Sequence, residues 1–260
     1  MIDIKKFVIF TLILVMILAI PIHATNNTNV KGFSWYCAHR KDNLQPSADP
    51  AFSFIKKYDG YYIDNLHGDN CSEKVIYLTF DVGYGNENVE KILDTLKNEE
   101  VIGAFFILGN MLNSHSDLVK RMEEDGHLIC NHTYSHKTMV NRSEEDFTAE
   151  LNKLDNAYYN ISGKHLSKYY RPPEGRFDER SLEYAQKMGY KTIFWSFAYA
   201  DWDNNKQMSH DKAKLKILEN IHNGEIMLLH PTSSTNASIL PEIIQELKRR
   251  GYRFGSLDEL

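Results

Sequence analysis

The chain has 260 residues, 42% hydrophobic and 25% charged, a profile of a globular protein with a sizeable core rather than a disordered one. Thirty Lys and Arg stand against 35 Asp and Glu, a formal charge of −5. The one basic cluster, "KRR" at 248–250, sits where it complements a helix C-terminus, so a nucleic-acid partner is not indicated.

At the start, Lys5 and Lys6 precede an apolar run from Phe7 to Ile20 and then "PIHA". A charged region, an apolar region and a small residue, Ala24, are the layout of an export signal cleaved near Ala24. The alternative is an uncleaved anchor, disfavoured because a spanning helix usually needs about 20 apolar residues. Either way residues 25–260 are expected outside the cytoplasm, and only the leader would touch the membrane. Residues 25–72 are rich in Asn, Asp, Ser and Pro without a sustained period and read as a linker or a wrap on the main domain. Cys37, Cys71 and Cys130 are too few for a disulfide framework, although export would allow Cys37 and Cys71 to pair. Cys130 reads as a small buried strand residue.

From Glu73 to Leu260 the texture changes. Short apolar runs at 75–80, 101–108, 127–130, 191–197, 225–229 and 252–254 alternate with amphipathic stretches. Val89, Ile92, Leu93 and Leu96 share one helical face, as do Phe147, Leu151, Leu154 and Tyr158. Gly126, Gly189, Gly224 and Gly251 each stand between a helical pattern and an apolar run, as left-handed helix caps do. Apolar strands joined by helices imply an α/β fold with a covered parallel sheet, and a barrel or a doubly wound sheet would both fit.

In either fold, chemistry belongs at the carboxyl ends of the strands. The first strand ends at Asp81, "HLIC" runs into His132 and His136, "TIFWSF" leads to Asp201 and Trp202, and "EIMLL" ends on His230. Each residue alone has an ordinary explanation. His132 and His136 have the spacing that places two imidazoles on one face of a helical turn and suits a divalent metal. Yet 11 histidines in 260 residues give roughly 0.4 such pairs by chance. Thr133 after the first His excludes the zinc-protease helix motif. A lone His such as His230 is more often a cap or core residue, and Asp201 could be a turn residue, as Asp203 is taken to be. "RPPEGRF" at 171–177 is harder to dismiss, because two prolines stiffen the backbone beside Arg171.

Taken in order, "LTFD", "NHTYSH", "RPPEGRF", "DW" and "LLH" resemble the polysaccharide deacetylases with a NodB-type domain, carbohydrate esterase family 4, over residues 73–260. Together with "IKKYDGYY", "FWSFAYADWD" and "GYRFGSLDEL", they are most similar to the delta-lactam-biosynthetic de-N-acetylases, which act on muramic acid residues of peptidoglycan in spore-forming bacteria. The resemblance implies a distorted barrel of parallel strands with outer helices. It implies Asp81 as the base that takes a proton from the attacking water, and His132 and His136 as ligands of a divalent metal, zinc by preference, that polarises the N-acetyl carbonyl. His230 would protonate the departing amine, Asp201 would orient and charge His230, and Arg171 would hold Asp81 ionised. Trp202, Pro173, Arg176 and Leu229 would line the sugar groove. Peptidoglycan glycan strands are the implied partner.

One departure stands out. Most of the family carries a second Asp, a third metal ligand, where this chain has Val82. Valine cannot bind a metal, so zinc would be held weakly unless water or Asp81 completes the shell. The delta-lactam branch often lacks that ligand too. Two other readings remain: a deacetylase of another polymer, such as chitin oligomers or wall N-acetylglucosamine, and a non-catalytic glycan-binding relative. Asp81, Asp201 and His230 together argue against the last, since a binding module needs neither base nor acid.

Overall fold

The computed structural model describes residues 30–260; the leader reading at 1–24 lies outside the described residues. Among these, no helix is long and apolar enough to cross a membrane. In chain order the strands are β1 (Phe33–Ser34), β2 (Gly60–Tyr61), β3 (Lys74–Val82), β4 (Ala104–Ile107), β5 (Leu128–Asn131), β6 (Ser167–Tyr170), β7 (Arg176–Phe177), β8 (Lys191–Ile193), β9 (Glu225–Leu229) and β10 (Tyr252–Phe254). The helices are α1 (Glu87–Asn98), α2 (Gly109–Ser114), α3 (Ser116–Glu124), α4 (Glu144–Ser162), α5 (Glu179–Lys187), α6 (His210–Asn220) and α7 (Ser234–Arg249).

The main sheet runs β10-β3-β4-β5-β6-β8-β2, with β9 also on β3, and all its ladders are parallel. It curls until β9 meets the chain beyond β8 through the single bridge Phe197–Met227. The result is a distorted barrel, not a doubly wound sheet. β3 is its axis, pairing with β10 through Lys74–Ile76, with β9 through Ile76–Phe80 and with β4 through Thr79–Val82.

Alternation along the strands builds two cores. Val75, Tyr77, Phe106, Cys130, Ile193 and Ile226 pack together inside the barrel, whereas Ile76, Leu78, Phe80, Val82, Phe105, Ile107, Met227 and Leu229 pack with the helices. α1 is capped by the Asn86 side chain and buries Val89, Ile92, Leu93 and Leu96; α4 starts at Ser143 and buries Phe147, Leu151, Leu154 and Tyr158. Gly126, Gly189, Gly224 and Gly251 all have positive φ. Gly224 is not a helix cap, because three residues separate it from α6; its backbone presses so close to Asp64 that a Cβ would lie 2.5 Å from the carbonyl oxygen. β6 is absent from the sequence reading because "SKYY" begins with two polar residues.

Residues 30–62 form a strap across the barrel wall. β1 pairs antiparallel with β7, and β2 extends the sheet from β8. Between them a 3-10 helix, Pro50–Tyr58, buries Phe52, Ile55 and Tyr58 in a cluster with Trp35, Phe177, Leu182 and Phe194. Trp35 stacks on Phe194 with centroids 4.5 Å apart, donates its indole N–H to the Trp195 carbonyl at 2.9 Å and its backbone N–H to the Gly175 carbonyl at 2.8 Å. Cys37 and Cys71 are free thiols, so the pairing that export would allow is not made here. Burial pushes the Cys37 thiol up to about 12. Cys130 is buried on the inner face of β5.

Because Trp35 joins the strap to two barrel segments at once, Trp35→Ala should cost about 3–5 kcal/mol of stability. Denaturant unfolding measures it. A loss under about 1 kcal/mol would mean that the strap contributes little to the barrel.

Candidate active site

Asp81 is the penultimate residue of β3, and its environment is set by a guanidinium that crosses the barrel interior. The Arg171 side chain is 0% exposed. Its Nη1 donates to Asp81 Oδ1 at 2.8 Å, Nη2 to Thr79 Oγ1 at 2.9 Å and to the Phe194 carbonyl at 3.3 Å, and Nε to the Ile193 carbonyl at 2.9 Å. The Phe106 ring lies under it, 4.1 Å from Cζ. Thr79 is fixed in turn by donating to the Met227 carbonyl at 2.7 Å. Burial, the largest single influence, pushes the Asp81 carboxyl upward, but the charges of Arg171, His132 and His230 together with the Arg171 hydrogen bond outweigh it and the net shift is downward.

Arg171 also reaches the first histidine through its backbone. His132 Nδ1–H donates to the Arg171 carbonyl at 2.8 Å, which leaves the Nε2 lone pair facing Asp81 Oδ2 at 3.5 Å. Burial lowers the His132 pKa to about 4, so the ring is neutral near pH 7. His136 stands beside it, ring centroids 5.0 Å apart. The helical turn expected for this pair is not formed. Residues 132–136 are a loop in which Thr133 and His136 have φ of 69° and 57°. That strained path is held by Asn131 Oδ1, which accepts from Thr133 N at 2.9 Å, and by Thr133 Oγ1, which accepts from His136 N at 3.0 Å.

His230 follows β9 and is held by Asp201 at two points. Its Nδ1–H donates to Asp201 Oδ1 at 2.7 Å and its backbone N–H to Oδ2 at 2.8 Å. Burial would lower the pKa, but the hydrogen bond and charge of Asp201, aided by the charge of Asp81, raise it above its ordinary value. The Trp202 ring, 61% exposed, stands at a steep angle to the His230 ring with centroids 6.1 Å apart. Asp203 is a turn residue, accepting from Asn205 N at 3.0 Å.

The remaining sequence candidates separate. Pro173 is buried in the loop after Arg171, where Glu174 and Gly175 both take positive φ. A Cβ on Gly175 would lie 2.8 Å from the Trp195 ring and 3.1 Å from Trp35. Arg176 lies on β7 opposite Ser34, its guanidinium 3.9 Å from Glu174. Leu229 is buried in the helix-side core and offers no groove surface, because β9 alternation turns it away from the barrel interior. Val82 is likewise buried on the helix side. Sequence reading missed Thr79, Asn131, Gln207 and Asn236, uncharged residues whose importance lies wholly in what they touch.

A parallel barrel carrying an Asp–Arg pair, a two-histidine loop and a His–Asp pair at its strand ends is the frame of a polysaccharide deacetylase. The family model so described matches residues 68–193, and the chain belongs to that family, carbohydrate esterase family 4. It is 40% identical over 208 residues, 80% of this chain and 77% of the relative, to the peptidoglycan-N-acetylmuramic acid deacetylase PdaA of Bacillus subtilis. The solved PdaA structure superposes with a TM-score of 0.83 at 37% identity, covering 88% of this chain and 97% of that one. A peptidoglycan-N-acetylglucosamine deacetylase of Bacillus cereus is 32% identical over 213 residues, 80% of this chain and 74% of its own length.

The raised His230 pKa has a signed consequence. The folded state binds the imidazolium more tightly than the unfolded chain does, so its stabilisation is complete below about pH 6.5 and fades as pH rises through the folded-state value. Asp201→Asn should lower the His230 pKa in an NMR titration and remove its share of that pH dependence. An unchanged titration would exclude Asp201 as the cause.

Proposed function

We propose that this chain hydrolyses the N-acetyl group of N-acetylmuramic acid in peptidoglycan, freeing an amine that closes to the muramic delta-lactam of spore cortex. The observation that carries the reading is the opposed tuning of two groups, a carboxyl paired with Arg171 and shifted downward and an imidazole paired with Asp201 and shifted upward. The similarity to a relative named for N-acetylmuramic acid supports the choice of sugar. The residues at 1–24, read as a leader, would send residues 25–260 to the wall side of the membrane, with 73–260 as the catalytic domain.

In the reaction, Asp81 accepts a proton from the water whose oxygen bonds to the acetyl carbon. The carbon–nitrogen bond then breaks as His230 gives its proton to the nitrogen. Acetic acid, which gives up its proton to solvent as acetate, and a free sugar amine leave, and a proton passes from Asp81 back to His230 through solvent. Arg171 keeps Asp81 ionised and prevents it from turning. Trp202 offers an exposed ring to the sugar beside His230, with the Pro173 and Arg176 segment assigned to the groove.

A divalent metal fits this donor set only in part. Among the described residues no group of three or more His, Cys, Asp or Glu is arranged to hold one. The locked tautomer of His132 nevertheless points a lone pair toward Asp81, with His136 adjacent. His132 and His136 would hold the ion, zinc by preference, and it would polarise the acetyl carbonyl. Val82 adds no donor, so binding would be weak.

The freed amine lies near the lactyl carboxylate of its own sugar, so lactam closure is intramolecular and entropically favoured. Purified peptidoglycan glycans incubated with the enzyme, with and without chelator, should release acetate from muramic acid residues. Release only from chitin oligomers or N-acetylglucosamine would point to another polymer, and no release from any to a binding protein. Spores of a strain lacking the protein should contain no muramic lactam by mass spectrometry of their muropeptides; retained lactam counts against the assignment.

Asp81→Asn should abolish acetate release while leaving the thermal transition cooperative, a loss of at least about 100-fold. Substantial turnover by the folded variant removes Asp81 as base. In zinc titration calorimetry, His132→Ala should lose the metal uptake of the parent chain. Equal uptake by both would place the metal elsewhere.

A further inference from the structure

Asn236, in the first turn of α7, is 1% exposed and none of its polar atoms faces solvent. Its Nδ2 donates to Asp201 Oδ2 at 2.6 Å and to the His230 carbonyl at 3.1 Å. On the other side its Oδ1 accepts from the Tyr199 hydroxyl. This settles which way the amide is turned: reversed, its oxygen would face a carboxylate and a carbonyl, two acceptors with no proton between them.

The same helix start grips Asp201 a second way. Ser233 caps α7, its Oγ accepting from Asn236 N at 3.1 Å and donating to Gln207 Oε1. Gln207 Nε2 donates to the Asp201 carbonyl at 2.9 Å. A closed hydrogen-bonded circuit, Asp201 to Gln207 to Ser233 to Asn236 and back, fixes the backbone and the carboxylate of Asp201 together. With Oδ2 already taken by Asn236 and His230 N, only Oδ1 is left for the His230 imidazole.

We propose that Asn236 is a positioning residue for the proton-donating histidine: it holds Asp201 so that Oδ1 captures Nδ1–H of His230 and Nε2 is aimed at the departing nitrogen. The inference rests on the reading of His230 as acid. Asparagine suits the position because the site needs a donor toward Asp201 and an acceptor toward Tyr199 on one short side chain. Aspartate would bring a second buried carboxylate against the first, and leucine would leave Asp201 Oδ2 short of a donor in a dry interior.

The test uses Asn236→Ala and, as a milder change that keeps volume and removes only the hydroxyl holding the amide, Tyr199→Phe. Two quantities are read. The first is the neutral-form tautomer of His230 from its ring nitrogen shifts, which needs no catalysis. The second is kcat and KM for acetate release from the N-acetylated glycan.

The expected result is a parent His230 held in the Nδ1–H tautomer and a mixture of tautomers in the variants. With it kcat should fall about 10- to 100-fold, the range of a misdirected general acid, at unchanged KM. Should Asn236→Ala not fold, Tyr199→Phe alone is decisive, with a smaller fall of the same kind. An unchanged tautomer in a folded variant overturns the proposal, whatever the rate. So does a mixed tautomer with unchanged kcat, or a change confined to KM. If the parent enzyme releases no acetate from any glycan, the hydrolase reading fails, and the tautomer measurement still decides whether Asn236 orients His230.

Discussion

The Arg171 guanidinium, fully buried inside the barrel, is the element on which the surroundings of Asp81 and His132 depend. A charge so placed carries a desolvation penalty of several kcal/mol that its hydrogen bonds must offset, and removing one partner of such a pair leaves the other uncompensated. Here a carboxylate, a hydroxyl and two strand-end carbonyls receive it. Lysine could not replace it, since a point charge cannot serve acceptors spread across β3 and the chain leaving β8. The same residue, through its carbonyl, sets the tautomer of His132. Side chain and main chain of one position thus organise both halves of the neighbourhood of Asp81.

His230 is held by a different set of hydrogen bonds. Its partners come from the loop after β8 and the start of α7, while those of Asp81 come from β3 and the turn after β6. An Asp–Arg pair and a His–Asp pair, shifted in opposite directions, therefore sit at one barrel mouth on separate hydrogen-bonding supports. Each is tuned mainly by its own neighbours, and under the proposed reading a single pocket would present a base and an acid at the same pH.

Much of this was legible in the sequence, because strand ends can be located from apolar runs and the residues there are titratable. The boundaries of β9 and β10 match the predicted runs, and the four glycines take the left-handed conformation expected of them. What stayed hidden has a common physical character. Thr79, Asn131, Gln207 and Asn236 act through hydrogen bonds to partners distant in sequence, and a neutral polar residue carries no mark of whether it will be buried. Val82 and Leu229 show the converse: adjacency in sequence to a site says little about direction in a strand, where each step of one residue reverses the face. The strap was legible only as a linker or a wrap, since its strands are two residues long and acquire order only against β7 and β8.

β3 draws its hydrogen bonds from β4, close behind it in sequence, and from β9 and β10, near the far end of the chain. During synthesis the segment bearing Asp81 must therefore wait for nearly the whole polypeptide before its ladder is complete. Long-range parallel pairing of this kind is slow to nucleate, and an apolar strand that waits with an open edge is exposed to wrong partners. Maturation of this protein should for that reason be limited by the arrival of β9 and β10, and truncations that remove them should yield aggregated chains rather than weakened enzymes.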